Sequence, residues 1–168
     1  LKGNNHLTFT NPFNGIVDPR YVVFTTYTDL TRVGVPYGMP DGTTQRFWSR
    51  YSAKRVSLLA VNPVIVHPDF PSTFLDYPTV CFMVSELNGW DATWFQNGIE
   101  ASLEKWGAVD PGNAYVTAIM ARFNDPATTP EMKKEMVITQ KYIHLLMQPH
   151  EAWAEYRRTG YPKSIVKP

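Results

Sequence analysis

The sequence predicts a mainly α-helical protein with long irregular loops and at most a short β ribbon. Apolar residues recur at helical spacing through the C-terminal half, and Asn, Gly and Pro interrupt the pattern between successive helices. In the N-terminal part, turn-forming prolines and glycines are too frequent for a long helix, as between residues 35 and 42. We therefore expect a loop-rich region over residues 1–75 and a helical scaffold over residues 76–168, both parts of one domain.

The N-terminal region contains two candidate strands. Residues 21–27 are β-branched or aromatic throughout, and residues 64–66 read Val-Ile-Val. Both compositions favour extended backbone. We expect these segments to form a short ribbon within the loops.

The first long helix is predicted to begin after Asp76 and to end at the Asn88-Gly89 pair. Its apolar residues have the i, i+3, i+4, i+7 spacing of one helical face, which we expect to face the core; they are Val80, Met83, Val84 and Leu87. Cys81 lies beside this stripe with no basic residue close by in the sequence. Packing in the core is therefore a better interpretation of Cys81 than nucleophilic catalysis.

A second helix is predicted from Asp91, an N-cap residue, to about Trp106, with Gly107 as its C-terminal stop. Its buried stripe is expected to be Phe95, Ile99, Leu103 and Trp106. Gly98 in the interior of this helix indicates a close contact with a neighbouring helix.

Three more helices complete the scaffold. A short one is predicted over residues 113–123, and a long, mostly buried one begins at Pro130 with Thr129 as its cap. The last, over residues 150–158, is closed by Gly160. Short loops between the helices indicate antiparallel packing.

Composition excludes several classes of protein. The 16 Lys+Arg and 15 Asp+Glu leave a formal charge of +1, so charge predicts no nucleic-acid partner. The single cysteine cannot form an internal disulfide, and the apolar runs fall short of the roughly 20 residues that cross a bilayer.

Patterns that would indicate catalysis or metal binding are weak. His144 and His150 are separated by a helix break, which does not suit a metal-ligand pair. Glu100 and Glu104 share one helix face, whereas the two carboxylates of a glycosidase come from opposite sides of a cleft. We predict no catalytic residue, no metal and no cofactor.

Residues 140–143 (QKYI) and 151–162 (EAWAEYRRTGYP) resemble the C-terminal signature of the SusD/RagB family of outer-membrane nutrient-binding lipoproteins. Residues 97–102 (NGIEAS), followed by Trp106-Gly107, and the Asp18-Pro19-Arg20 tripeptide followed by residues 33–38 (VGVPYG) extend this likeness upstream. The signature residues are Gln140, Lys141, Glu151, Trp153, Arg157, Arg158, Gly160, Tyr161 and Pro162.

Members of that family are much longer, so the resemblance implies the C-terminal part of a SusD-like α superhelical fold that lacks the N-terminal helical-repeat region. The helix that begins after Asp76 departs from the family pattern, because Thr79 stands where a glutamate is usual, although Glu86 is retained. No role is assigned to the missing acid.

The resemblance implies a non-enzymatic receptor of Bacteroidetes that binds glycans or other oligomeric nutrients for polysaccharide utilisation. Its partners would be the nutrient, a SusC-like TonB-dependent transporter and the missing N-terminal part of the same protein. That part would anchor the protein by a lipid on the extracellular face of the outer membrane.

Aromatic side chains in loops are the better candidates for ligand contact, because rings at helical spacing are usually core. The expected ligand-binding residues are Tyr37, Trp48 and Tyr51, beside Phe47, with Asp41, Gln45, Arg46 and Arg50 as hydrogen-bonding groups. The alternative is that these rings are buried to order a Pro-rich loop. Trp90 and Trp94 are secondary candidates, for which a structural role in the helix is the alternative.

The cluster of Glu151, Trp153, Glu155, Arg157 and Arg158 has two interpretations. The first is that the arginines bind an anionic ligand. The second is favoured by the spacing, because Glu155 with Arg158 at i, i+3 and Trp153 with Arg157 at i, i+4 suit local pairs that fix the helix on its neighbours. Two other functions stay open: a docking piece without its own ligand site, and, as the weakest, a glycoside hydrolase.

Overall fold

The computed structural model describes residues 17–24, 33–34, 56–57 and 68–163. The chain divides into two compact units, Leu1–Phe70 together with Pro168, and Pro71–Lys167. The described residues are mainly helical, which confirms the predicted fold class.

In the first unit, α1 (Tyr21–Phe24) is a single helical turn, so the predicted strand over residues 21–27 is wrong at its start. The carboxylate of Asp18 accepts hydrogen bonds from the backbone N–H and the guanidinium of Arg20, at 2.6–2.9 Å, and both side chains are buried. The Tyr21 N–H then donates to the Asp18 carbonyl at 3.0 Å. This local capping outweighs the β propensity of the segment.

The structure contains a minimal strand pair, but it is formed by residues other than the two predicted strands. Strand β1 (Val33–Gly34) is parallel to β2 (Val56–Ser57), with Val33 opposite Val56 and Gly34 opposite Ser57. Residues 64–66, the other predicted strand, lie outside the described residues.

The second unit consists of helices α2 (Tyr77–Leu87), α3 (Ala92–Trp106), α4 (Ala114–Phe123), α5 (Pro130–His144) and α6 (Pro149–Thr159), with a 3₁₀ turn, Pro111–Asn113, before α4. Helices α2 and α3 pack on each other most extensively, and α5 packs against α2, α3 and α6.

Capping side chains set the beginnings of α2, α3 and α5, and the caps at Asp91 and Thr129 were predicted. Asp76, Asp91 and Thr129 each accept a hydrogen bond from the N–H three residues later, at 3.1, 2.9 and 3.3 Å. Asp110 was not predicted as a cap, yet its carboxylate accepts the N–H groups of Tyr115 and Val116 in the first turn of α4, at 2.9 and 3.1 Å. Each cap satisfies donors that a helix leaves unpaired.

The face that α2 buries differs from the predicted one. Cys81, Phe82 and Ser85 are fully buried, whereas Met83 and Leu87 of the predicted stripe are exposed. The reason is the close approach of α2 to Gly98 of α3, which accommodates the Phe82 ring. The missing side chain at Gly98 therefore decides which side of α2 faces inward.

The buried stripe predicted for α3 is confirmed, and it leads into an aromatic core. Phe95 lies between Phe82, at a ring-centroid distance of 6.4 Å, and Phe123 of α4, at 4.5 Å. Phe82 is also 6.4 Å from the His144 ring, at the end of α5. The aromatic side chains thus join four helices, with a polar ring at one edge.

Candidate functional site

A polar cluster, buried at Ser102 and His144, joins the N-terminus of α2 to α3 and α5. His144 Nδ1 lies 2.9 Å from Ser102 Oγ, and His144 Nε2 lies 2.9 Å from Asp76 Oδ2. Lys105 Nζ donates to the same Asp76 oxygen and also to the Thr73 hydroxyl. We call Asp76, Ser102, Lys105 and His144 the junction cluster.

The junction cluster is held together by charge. Burial alone would raise the pKa of Asp76, but the hydrogen bonds from His144 and Lys105 hold that pKa well below its usual range. Asp76 is therefore ionised at neutral pH. Because an ionised carboxylate only accepts hydrogen bonds, the proton between Asp76 and His144 is on Nε2.

His144 bridges Ser102 and Asp76, which is the chain of contacts found in a hydrolase triad. The surroundings of these residues do not support nucleophilic catalysis. Ser102 and His144 are fully buried. Ser102 also lies within α3, so a substrate carbonyl cannot approach its Oγ in this structure. The cluster instead fixes three helices at one point.

A second polar cluster joins α6 to α5 and α2. Arg158 donates to both carboxylate oxygens of Glu86, at 2.7 Å each, and to Glu155 at 2.9 Å. Lys141, whose side chain is 4% exposed, lies 3.0 Å from the other oxygen of Glu155. We call these four residues, Glu86, Lys141, Glu155 and Arg158, the signature cluster, since three of them belong to segments that resemble the family.

The pKa values of this cluster follow from its contacts. Hydrogen bonds to Glu86 and Glu155 raise the pKa of Arg158 further above its already high value. Burial opposes ionisation of Glu155, but Arg158 and Lys141 overcome this effect and lower its pKa. Glu155 and Arg158 are therefore both charged at neutral pH, and these opposite charges lie 2.9 Å apart.

Other signature residues also make contacts between helices. Gln140 Nε2 donates to the Tyr115 hydroxyl at 2.9 Å in the interior. The Tyr161 hydroxyl donates to Glu131 at the start of α5, so the chain after α6 is fixed there. Gly160 adopts a φ of +75° at the end of α6, which is the predicted C-cap geometry.

The exposed part of the signature differs from expectation in one respect. Trp153 stacks on Tyr156, with ring centroids 5.7 Å apart and an interplanar angle of 26°. Arg157, the ring partner that the sequence predicted, is exposed on the same helix, as is Glu151. A tyrosine at i+3 has a flat face for the indole, which explains the different pairing.

The loop residues predicted to bind ligand lie outside the described residues; they are Tyr37, Asp41, Gln45, Arg46, Phe47, Trp48, Arg50 and Tyr51. The secondary candidates, Trp90 and Trp94, are both half-buried beside Asp91, the cap of α3. Trp90 has a φ of +70° in the turn between α2 and α3.

Within the described residues, no group of three or more His, Cys, Asp or Glu side chains could hold a metal ion. Glu100 and Glu104 are exposed on α3, and Gln96 donates to Glu100 at 2.8 Å. Cys81 is buried, and burial raises the pKa of its thiol. In the same part of the chain, no helix has the length and apolar character needed to cross a membrane.

Sequence reasoning missed the junction cluster. Asp76 and His144 are 68 positions apart, and no local spacing connects them. A signal was nevertheless present, because Ser102 and His144 are polar residues on helix faces that also carry core residues such as Leu103 and Val137. A polar side chain in such a position needs a buried partner.

The family comparison agrees with the resemblance seen in the sequence: residues 5–167 match the model SusD-like_2, described as starch-binding associating with outer membrane. The chain belongs to this family of binding proteins. Neither a curated protein nor a solved structure matches the chain.

Proposed function

We propose that this protein captures glycans or other oligomeric nutrients at the cell surface and delivers them to a SusC-like TonB-dependent transporter. The observation that carries the proposal is the family match over residues 5–167, since that family is described as starch-binding.

The proposed ligand site is formed by the loop residues Tyr37, Asp41, Gln45, Arg46, Trp48, Arg50 and Tyr51. The apolar C–H face of a sugar stacks on an aromatic ring, while its hydroxyl groups need directed donors and acceptors. This segment offers both kinds of group within 15 residues (37–51). We further propose that an N-terminal part of the protein carries a lipid anchor on the extracellular face of the outer membrane.

Isothermal titration with maltoheptaose and a panel of other oligosaccharides tests the binding function. We expect Trp48→Ala to weaken binding about tenfold or more, because one stacked indole face contributes roughly 1–2 kcal/mol by area. Phe74→Ala is the matched control, since Phe74 is 96% exposed and is not a candidate ligand residue. Equal affinity of the wild type and Trp48→Ala would remove Trp48 from the site.

The same samples test the absence of catalysis. We expect no release of reducing sugar when the protein is incubated with the polysaccharide from which a bound oligosaccharide derives. Sustained release that follows the protein concentration would contradict the proposal and favour a glycoside hydrolase.

A second candidate function is that of a docking piece whose ligand groove belongs to another part of the protein. The observation in its favour is the number of exposed apolar side chains in the second unit; they are Phe74, Leu75, Tyr77, Met83, Leu87, Val109, Met147 and Trp153. Co-purification of a transporter barrel by a protein without glycan affinity would favour this function over the first.

A further inference from the structure

Helix α6 presents an aromatic pair at its surface. The Trp153 side chain is 59% exposed, although its ring is stacked on Tyr156, which is half-buried. An indole is the largest apolar side chain, so leaving most of it in water forgoes hydrophobic stabilisation. We call Trp153 and Tyr156 the α6 aromatic pair.

Contacts with the neighbouring helices hold the α6 aromatic pair in place. Arg158 binds Glu86 of α2 through two hydrogen bonds of 2.7 Å, and Glu155 binds Lys141 of α5 at 3.0 Å. These contacts hold α6 against α2 and α5, and Tyr156 restricts the indole itself. A ring that is already ordered loses little conformational entropy when a ligand stacks on it.

Polar groups flank the pair on the same face of the helix. His150 precedes Trp153 by three residues and Arg157 follows it by four, and both side chains are exposed. Imidazole and guanidinium nitrogens are hydrogen-bond donors for hydroxyl groups. The face therefore combines a flat apolar surface with donors on either side, which is the arrangement that a sugar ring requires.

We propose that Trp153 and Tyr156 form a stacking surface for a pyranose ring of an α-1,4-linked glucan, with His150 and Arg157 as donors to its hydroxyl groups. This inference rests on the proposed function, since the choice of glucan follows the starch-binding description of the family. It adds a second contact site, on the helical scaffold, to the one proposed in the loops.

The test is a maltoheptaose titration of the wild-type chain, Trp153→Ala, Trp153→Phe and the control Leu87→Ala. Leu87 is an exposed apolar residue of α2, at 83%, outside the proposed surface. We expect a loss of about tenfold in affinity for Trp153→Ala, most of it restored in Trp153→Phe, and no change for Leu87→Ala. In NMR spectra of the wild type, the Trp153 indole N–H signal should shift with the titration.

The possible failures are distinguishable. If the wild type binds maltoheptaose and Trp153→Ala binds it equally well, the inference is overturned and the proposed function stands. If Trp153→Ala instead loses only co-purification with a transporter, the surface is a protein contact and the inference is again overturned. If the wild type binds no glycan of the panel, the proposed function and the inference both fail.

Discussion

Replacing Gly98 by alanine is expected to destabilise the contact between α2 and α3. A Cβ atom at this position would lie 2.6 Å from Cε1 and 2.8 Å from Cδ1 of Phe82, whereas ordinary contacts begin at 3.4 Å. The Phe82 ring would have to move by about 0.8 Å, the difference between 3.4 and 2.6 Å. It is fully buried and flanked by the rings of Phe95 and His144, so this movement disturbs the core.

The magnitude follows from two opposing effects. Overpacking of a filled core costs about 1–3 kcal/mol, and the fully buried ring favours the upper part of this range. In the opposite direction, alanine in place of glycine within a helix raises the free energy of unfolding by about 1 kcal/mol. We therefore expect Gly98→Ala to lower the free energy of unfolding by about 1–2 kcal/mol.

Urea unfolding followed by circular dichroism measures this effect. Asn97→Ala, on the same helix and half-buried, is the matched control and should change stability by less than about 0.5 kcal/mol. On a Phe82→Leu background the obstructing ring is absent, so Gly98→Ala should become neutral or stabilising. If Gly98→Ala is as stable as the wild type, or equally destabilising in both backgrounds, the close-contact argument is refuted.

The remaining predictions concern the two charged clusters. Asp76→Asn keeps a capping oxygen but loses its charge, and should lower the free energy of unfolding at pH 7 by about 1–3 kcal/mol. Because the pKa of Asp76 is lower in the folded state than in the unfolded state, the difference in stability between wild type and variant should shrink as pH falls below about 4, the unfolded-state pKa. Urea unfolding at several pH values measures this dependence. A difference that does not change with pH would contradict the prediction. Arg158→Lys should cost about 0.5–1 kcal/mol, since lysine cannot bind both oxygens of Glu86 and the arginine is half exposed. A double-mutant cycle with Glu86→Gln measures that coupling, and a coupling near zero would mean that the pair does not fix α6.

Helix boundaries were largely predictable because they depend on residues adjacent in sequence. Asp91 and Gly107 define the ends of α3 through one hydrogen bond to a nearby N–H and one positive φ, and both could be recognised from residue type alone. The turn at Asp18 was also local, yet it was missed, since the β-branched residues after it suggested a strand. A capping aspartate two residues before Arg20 was the stronger signal.

Which face of a helix is buried depends on its neighbours, and the sequence alone did not predict the buried face of α2 correctly. The stripe from Val80 to Leu87 has good helical periodicity, but Phe82 is the residue that fits over Gly98. Periodicity identifies an amphipathic helix without fixing its rotation when apolar residues occur on two sides. For the loop site proposed around Trp48, only residue type and chain position support the assignment.

The two charged clusters hold different helices in place, and this difference bears on function. The junction cluster joins α2, α3 and α5, and two of its members, Ser102 and His144, are buried, so its loss would disturb the core itself. The signature cluster lies nearer the surface and holds α6 against α5 and α2. The segment that most resembles the family is thus the one that positions the exposed Trp153. A sequence signature that serves packing alone would not require a tryptophan directed at solvent, and this asymmetry is the physical reason to test α6 as a binding surface.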